Sequence, residues 1–460
     1  SQATALGARM CQSTFFFMKI PYGSEISGMR IIKSDNYDGF VCSAGACPMS
    51  CCLGNWQIMI DDEHIDRYTS DTGDSALNRR LAEGVDLVEQ CFTQNGGKCS
   101  MLDEDGLCSI QRALGEDALC DTCRKYPRHL EEFRGVREWS LSLSCPEAAR
   151  IILGNKDRLG FITEETPEPE NDAEYEEFND DFYLLLNEAR DRVFDIIQSR
   201  EYSFKDKAML ITAYTMGIQE CIDNENFDLL QPFIEGDIGL AEITEPDGTK
   251  SKRFVFELAD FDTDDEEPQE EYEDIAEEDG AEAAFDEAYE SDYPEGEDDL
   301  TCEDDDTEEG FEELQSDVEP VVADGIHVID ETKEINHDAL HKNMFRVLFD
   351  LEVMSSDWQE ILENTWEAWD DDIRLSAEEE IQAEQLLMFW TYTYFCGAVY
   401  DGWVFSKAML AVCSTWWIFE INNANEFEGG LTEAAYRFAR EIEHSDENLN
   451  ALEEWFMRRE

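Results

Sequence analysis

The sequence predicts a mainly α-helical protein, in which a cysteine-rich, metal-binding α+β unit precedes a bundle-like helical region. Ten of the 15 cysteines lie between Cys42 and Cys145, which is too dense for ordinary buried thiols. Beyond about residue 176, apolar side chains recur every three or four residues, as they do on one face of a helix. The hydrophobic fraction of 42% is large enough to fill a core between such helices.

Changes in composition divide the chain into successive segments. The first has no periodic pattern, the second holds the clustered cysteines, and the fourth is strongly acidic. The predicted segments are an N-terminal extension at 1–17, the cysteine-rich unit at 18–155, a helical region at 176–258, an acidic disordered insert at 259–330 and a C-terminal helical region at 331–460.

Within the cysteine-rich unit, alternating polar and apolar residues predict two strands, and a helical period predicts two helices. The strands are expected at 57–60 and 138–143, and the helices at 75–92 and 109–119. Pro146 suits the first turn of a further helix, which is expected to end at Gly154. The polar residues 155–175 are predicted to form a connector.

Helical periodicity then dominates the chain on both sides of the acidic insert, and the short connections favour a bundle. An apolar stripe runs from Tyr183 to Ile197 in the first of these helices. The others are predicted at 204–222, 226–234, 336–352, 356–371, 377–396, 402–421, 431–443 and 447–459.

The apolar stretch at 386–420 has the length of a membrane span, but Asp401 and Lys407 interrupt it. No run of about 18 apolar residues survives, so two buried helices of a soluble protein are predicted and no membrane partner is expected. The first residues lack the apolar region and cleavage site of a secretory signal. This predicts a cytoplasmic location, where thiols stay reduced.

The charge balance argues strongly against a nucleic-acid-binding protein. The chain has 110 acidic and 34 basic residues, a net charge of −76, and an acidic surface repels phosphate. Residues 261–320 contain 31 Asp and Glu and no Lys or Arg. Such a segment buries too little apolar surface to offset the entropy of ordering, which predicts disorder. Acidity also attracts basic proteins, although solubility alone is a sufficient reason for it.

The clustered cysteines fall into groups whose short spacings let one loop supply several ligands. The groups are Cys42-x4-Cys47-x3-Cys51-Cys52, Cys99-x8-Cys108, Cys120-x2-Cys123 and Cys145. Thiolate is a soft ligand that selects zinc or an iron–sulfur cluster, and the spacing leaves both open. The neighbouring Arg124, Lys125 and Arg128 are expected to offset the negative charge of such a centre. In contrast, Cys221, Cys396 and Cys413 lie in apolar helical patterns and are predicted to pack as free thiols.

The residues around these cysteines resemble the FliB-like flagellin lysine-N-methylase family, which is related to small bacterial domains with zinc- or iron-chelating cysteine patterns. The resemblance is specific over about 19–155 and looser over 336–455. It is carried by Phe40-x-Cys42-x4-Cys47-x3-Cys51-Cys52-x3-Trp56, Cys99-x2-Leu102-Asp103-Glu104-Asp105-Gly106-Leu107-Cys108-x-Ile110, Leu114-Gly115-Glu116-Asp117-Ala118-Leu119-Cys120-x-Thr122-Cys123-x2-Tyr126-Pro127-Arg128 and Ser142-Leu143-Ser144-Cys145-Pro146-Glu147.

The resemblance implies methylation of lysine side chains on flagellin with S-adenosylmethionine, assisted by a cysteine-bound [4Fe–4S] cluster, with zinc as the alternative metal. Carried over by position, the implied ligands are Cys42, Cys47, Cys51, Cys52, Cys99, Cys108, Cys123 and Cys145. Cys120 falls outside that set. The long acidic insert departs from the family pattern.

The sequence does not locate the methyl-donor site or a general base. No Gly-x-Gly-x-x-Gly follows a predicted strand, so a dinucleotide-type loop is not indicated. His337 and His341 share a helical face that is expected to be solvated. His129 is expected at most to contact a metal ligand, without binding the metal itself. The alternative function is a non-enzymatic zinc- or iron-binding scaffold or a redox-sensing interaction protein.

Overall fold

The computed structural model describes residues 29–54, 56–167, 175, 178–244, 250–257, 321–323, 326–328, 342–370 and 373–458. The predicted extension at 1–17, most of the acidic insert, and His337 and His341 therefore lie outside the described residues. The described residues belong to one compact unit.

Helices dominate the described residues, which confirms the mainly α fold class. Most end within two or three residues of their predicted limits, because their apolar stripes face the core. The helices are α1 (Asp62–Thr69), α2 (Ser75–Gly84), α3 (Ser109–Leu114), α4 (Asp121–Lys125), α5 (Pro146–Gly154), α6 (Asp180–Gln198), α7 (Phe204–Asp223), α8 (Phe227–Glu235), α9 (Trp358–Ala368), α10 (Ala377–Tyr394), α11 (Ala398–Asp401), α12 (Val404–Ala424), α13 (Leu431–Glu443) and α14 (Asp446–Arg458).

The strands form three sheets, with the orders β5-β6-β1-β7, β2-β4-β3 and β10-β11-β9-β8. In the first sheet β1 is parallel to β6 and antiparallel to β7. The strands are β1 (Met29–Ser34), β2 (Ile58–Met59), β3 (Val85–Asp86), β4 (Cys91–Phe92), β5 (Arg128–Phe133), β6 (Val136–Leu141), β7 (Phe161–Thr166), β8 (Asp237–Thr244), β9 (Lys250–Glu257), β10 (Val321–Ala323) and β11 (Ile326–Val328).

Four predicted segments need correction. The connector at 155–175 contains β7, an edge strand whose residues are mostly exposed and so lack an alternating pattern. The helical region at 176–258 ends in the β8–β9 hairpin, and β10 and β11 pair within the range predicted as a disordered insert. The helix predicted at 75–92 ends at Gly84, where a Cβ atom would lie 2.6 Å from the Ser100 hydroxyl.

The helix α12 is the centre of the hydrophobic core. By length and composition it could cross a membrane, but it is buried within the fold along its whole apolar window. The helices α7, α9, α10, α13 and α14 pack around it. Lys407, which interrupts the apolar pattern, is buried between the carboxylates of Asp401 at 2.9 Å and Glu453 at 2.5 Å. Its charge is therefore paired inside the core.

Candidate metal centre

Three of the clustered cysteines stand immediately before a helix. Cys108, Cys120 and Cys145 precede α3, α4 and α5, respectively. The first-turn N–H groups of a helix have no carbonyl partner within it, so they are free to donate to a sulfur. The backbone N–H groups of Ala148 and Glu147 favour ionisation of the Cys145 thiol, against the larger effect of burial, which raises its pKa. Such donors stabilise a thiolate, the form that binds metal.

The loop that carries Cys47, Cys51 and Cys52 is tied to the rest of the unit by backbone hydrogen bonds. The Cys99 N–H donates to the Cys52 carbonyl at 2.9 Å, and the Ser50 hydroxyl caps the turn by accepting from the Cys52 N–H at 3.2 Å. Gly54 follows this turn, and a Cβ atom there would collide with the Trp56 ring at 1.7 Å. The short turn therefore requires a glycine beside the tryptophan.

The structure brings seven of the eight predicted ligands together. Hydrogen bonds between thiols join Cys51 to Cys52, Cys52 to Cys99 and Cys120 to Cys123. Electrostatic coupling to Cys51 extends the set to the remaining members. The assembled thiols are Cys47, Cys51, Cys52, Cys99, Cys108, Cys123 and Cys145, together with Cys120.

Two cysteines of the N-terminal unit are placed differently. Cys42 is exposed, and its sulfur accepts from the Ala44 N–H at 3.4 Å. Among the described residues, Cys42 shares no hydrogen bond with another thiol. Cys91 is buried in β4, where the Gln57 amide donates to its sulfur at 3.5 Å. The structure thus includes Cys120, which the family pattern omits, and leaves Cys42 at the margin.

Crowding and burial make most of these thiols reluctant to ionise. The hydrogen bond with Cys52, followed by burial, raises the pKa of Cys51 well above its ordinary value. Burial raises the pKa of Cys145 to about 11. A hydrogen bond from Cys52 lowers the pKa of Cys99, and one from Cys123 lowers that of Cys120. A soft cation would displace the remaining protons, so its binding is expected to weaken at low pH.

A second group of metal-binding side chains, formed by Asp61, His64 and Asp121, is explained by its protein partners. Asp61 caps α1, lies 2.7 Å from the His64 Nδ1 atom and accepts from the Asp121 N–H at 2.9 Å. Asp121 in turn pairs with Arg124 and Lys125. These contacts fix the turn that carries Cys120.

The basic side chains beside Cys123 are predicted to offset the negative charge of the metal centre, but in the structure they have other partners. Arg124 and Lys125 are bound to Asp121, and the Arg128 guanidinium lies 5.4 Å from the Phe40 ring centroid. The buried cation at the cysteines is instead Arg440 of α13. It donates to the Met49 carbonyl at 2.8 Å and to the Ser144 carbonyl at 3.0 Å.

A buried carboxylate lies beside the same loop. Glu443 accepts from the Tyr394 hydroxyl at 3.2 Å, the Ser144 N–H at 3.1 Å and the Ser142 hydroxyl at 3.3 Å. Burial raises its pKa to about 7, against the opposing effect of His129. His129 contacts the Glu131 carboxylate at 2.6 Å. Neither Glu443 nor Arg440 carries a sequence signal, because both occupy an ordinary amphipathic helix.

Cysteines outside the cluster are packed in the helical part. Cys396 and Cys413 are buried in the core, which confirms their prediction as free thiols, and Cys221 is half-buried on α7. A small cavity lies near the first sheet, lined by Ser34, Asn36, Ser140, Leu141, Ile152, Leu159, Gln385, Phe389 and Tyr392. Its volume of about 20 Å³ holds one water molecule and is far too small for S-adenosylmethionine.

Comparison with known proteins supplies the family context. A family model described as the FliB lysine N-methylase C-terminal domain matches residues 262–460. The chain is 33% identical over 130 residues to lysine-N-methylases of Salmonella choleraesuis and Salmonella typhimurium, covering 26% of this chain and 32% of each relative. It is equally similar to the flagellar biosynthetic protein FliU of Salmonella muenchen, of which the match covers 76%. The matched region thus spans about a third of the two lysine-N-methylases. No solved structure is significantly similar.

Proposed function

Since this chain belongs to the FliB-like lysine-N-methylase family, we propose that it transfers methyl groups from S-adenosylmethionine to lysine side chains of flagellin. The observation that carries the proposal is the assembly of eight thiols against α13, a helix within the range that matches the family model. A lysine-rich protein also suits a strongly acidic catalyst. We place the reaction in the cytoplasm, where thiols remain reduced.

We propose that the thiols hold a [4Fe–4S] cluster rather than a single zinc ion. Tetrahedral zinc, with bonds of about 2.3 Å, holds its sulfurs about 3.8 Å apart. Among the described residues, no three cysteine sulfurs lie within 4.8 Å of one another. A cluster places its own inorganic atoms between the thiolates and so accepts wider spacing. When bound, it supplies a redox-active cross-link between the loops.

The candidate ligands remain the eight cysteines of the family pattern, with Cys120 as a competitor for the place of Cys42. Cys51 is central, because its thiol interacts electrostatically with thiols from every loop of the cluster. These thiols are Cys47, Cys52, Cys99, Cys108 and Cys145. Its replacement is therefore expected to disturb the whole set.

The attacking lysine must lose its proton before it can accept a methyl group. We assign Glu443 as the proton acceptor, because its carboxylate lies at the junction of the cysteine loops and α13 and is held by Tyr394, Ser142 and Ser144. A carboxylate that titrates near neutral pH is matched to this task. The rate of methyl transfer should then rise with pH up to about 7 and depend on this residue.

Glu441 offers a matched control on the same helix. Burial raises its pKa to about 7 as well, but its carboxylate accepts from the N–H groups of Met354 and Ser355, away from the cysteines. Glu443→Gln should lower methyl transfer by at least about 100-fold, the usual contribution of a general base, whereas Glu441→Gln should retain it. Equal activity of the two variants would remove Glu443 from the reaction.

The function itself is tested with protein purified without oxygen, labelled S-adenosylmethionine and flagellin, followed by mass spectrometry of the lysines. Methylated flagellin lysines are the expected result, and lysine-poor acidic proteins serve as controls. If the metal-loaded protein methylates nothing, the scaffold or redox sensor becomes the better description.

A further inference from the structure

We propose that Arg440 neutralises the cysteine-bound metal centre and donates its free guanidinium N–H to a sulfur of that centre. The inference rests on the proposed function only in requiring that the thiols hold a metal. It assigns a role in metal binding to a residue of the C-terminal region.

Two of the three guanidinium nitrogen atoms of Arg440 already donate to the cysteine loops. Its Nη2 atom donates to the carbonyl of Met49, which lies between Cys47 and Cys51, and its Nε atom donates to the carbonyl of Ser144, which precedes Cys145. The Cys47 thiol also donates to the Met49 carbonyl, at 3.3 Å. These hydrogen bonds therefore hold the guanidinium beside three of the proposed ligands, Cys47, Cys51 and Cys145.

The third guanidinium nitrogen atom makes no hydrogen bond. The Nη1 atom of Arg440 is buried and has no hydrogen-bond partner, while the side chain as a whole is only 2% exposed. An unsatisfied buried donor costs about 1–3 kcal/mol, and more when it is charged. Such an atom is expected to have a partner in the functional protein.

The charge of Arg440 is unpaired as well. The other deeply buried cations each contact a carboxylate: Arg190 contacts Glu138, Lys207 contacts Glu384, and Lys407 contacts Glu453. Among the described residues, no carboxylate lies within the 4.0 Å limit of an ion pair with Arg440. A buried charge needs a counter-charge.

The cysteines are the anionic partner within reach. The positive charge of Arg440 favours ionisation of Cys47 and Cys51, opposing the effects that raise the pKa of each thiol. Four thiolates around either a zinc ion or a [4Fe–4S]²⁺ core carry a net charge of about −2, as the charges of the ligands require. Arg440 therefore meets an anion once metal is bound.

Aromatic packing provides an alternative reason for the guanidinium to be buried. Its carbon lies 5.3 Å from the Trp56 ring centroid and 5.8 Å from that of Tyr436. A purely structural role would make Arg440 important for folding but not for the electronic properties of the metal. The test must therefore measure the metal centre itself.

The experiment compares Arg440→Gln, Arg440→Lys and the control Arg437→Gln in the full-length chain. Arg437 lies one turn earlier in α13 and binds Glu433 at 2.9 Å and Asp357 at 2.8 Å, outside the cysteine cluster. Each protein is loaded without oxygen, either with Fe²⁺ and sulfide or with Zn²⁺ alone. The measurements are metal content, the rate of metal release to a chelator and, for iron, the reduction potential.

Arg440→Gln should release metal at least tenfold faster than Arg437→Gln under either loading. In the iron arm its reduced-to-oxidised ratio at a fixed potential should fall about tenfold, equivalent to about 59 mV for one electron, because lost positive charge disfavours reduction. Arg440→Lys, which keeps the charge, should restore most of the potential.

The proposal is overturned if folded Arg440→Gln matches Arg437→Gln in release rate and potential. It is also overturned if both Arg440 variants fail to fold, which would make the role structural, or if the unmodified chain binds neither metal. Failure of methyl transfer with an intact, Arg440-dependent centre would refute the proposed function alone.

Discussion

The carboxylate of Glu138 and the guanidinium of Arg190 form a buried two-pronged ion pair, with nitrogen–oxygen distances of 2.7 and 2.6 Å. Glu138 lies on β6 of the cysteine-rich part, and Arg190 lies on α6 of the helical part. The Arg190 side chain is 6% exposed and that of Glu138 is 2% exposed. The pair therefore fixes one part against the other in a setting with little screening.

Glu138→Ala should leave the Arg190 charge buried without its partner and lower the free energy of unfolding by about 3–5 kcal/mol. Urea denaturation followed by circular dichroism would measure the loss. The exposed pair Lys156–Glu378 is the control, and Lys156→Ala should cost less than about 1 kcal/mol. Comparable losses in the two variants would show that the buried ion pair contributes no more to the free energy of unfolding than the exposed one.

Single cysteine replacements should separate the family pattern from the observed cluster. Cys51→Ser and Cys120→Ser should lower bound metal, because both thiols lie within the cluster. Cys42→Ser should retain more metal than either, since Cys42 is exposed. Elemental analysis of protein purified without oxygen provides the measurement, with Cys413→Ser in the core as the control. Greater metal loss from Cys42→Ser than from Cys120→Ser would restore the family pattern.

Glu443 should make stability depend on pH. Its pKa is about 7 in the folded chain and 4.5 ordinarily, so the folded state binds the proton more tightly. Stability attributable to this group is therefore greatest below pH 4.5 and is lost as the pH rises towards 7. His129 and Tyr394 are the titratable groups that act on the Glu443 carboxylate, and the Glu443→Gln variant leaves both unchanged.

Glu443→Gln removes the titration while keeping the size of the side chain. The difference in melting temperature between variant and unmodified protein should shift in favour of the variant between pH 5 and pH 8, the window around these pKa values. A difference that stays constant across this window would show that Glu443 does not titrate in the fold.

Deletion of 262–320 should leave the fold and metal content unchanged. The strands on either side of the deleted range pair with each other, because β9 contacts β11 at Glu257 and Ile326. A short Gly/Ser linker can therefore close the gap. The deletion removes 31 acidic residues and no Lys or Arg, so the net charge changes from −76 to −45. Methylation of flagellin should then depend less on salt. A cooperative loss of helix signal would contradict this prediction.

The sequence predicted the helices well, but it gave no signal for the residues of α13 that lie beside the cysteine loops. The helices α6–α8 and α9–α14 have apolar stripes or continuous apolar runs, which are local signals. The strand β1 is short and finds its neighbours β6 and β7 more than 100 residues later, so its partners cannot be inferred from a local pattern. Arg440 and Glu443 look like solvated residues in α13, and only the folded chain brings them to the cysteine loops.

The bond between Arg440 and the carbonyl of Ser144 spans 296 positions of the chain. At a synthesis rate of about 5–20 residues per second, the ribosome needs about 15–60 s to make the intervening residues. During that time the cysteine loops leave the ribosome without their clamp from α13. The nascent chain thus presents these eight thiols before the helix that packs against them exists, so the assembled cluster of thiols forms only once α13 has been made.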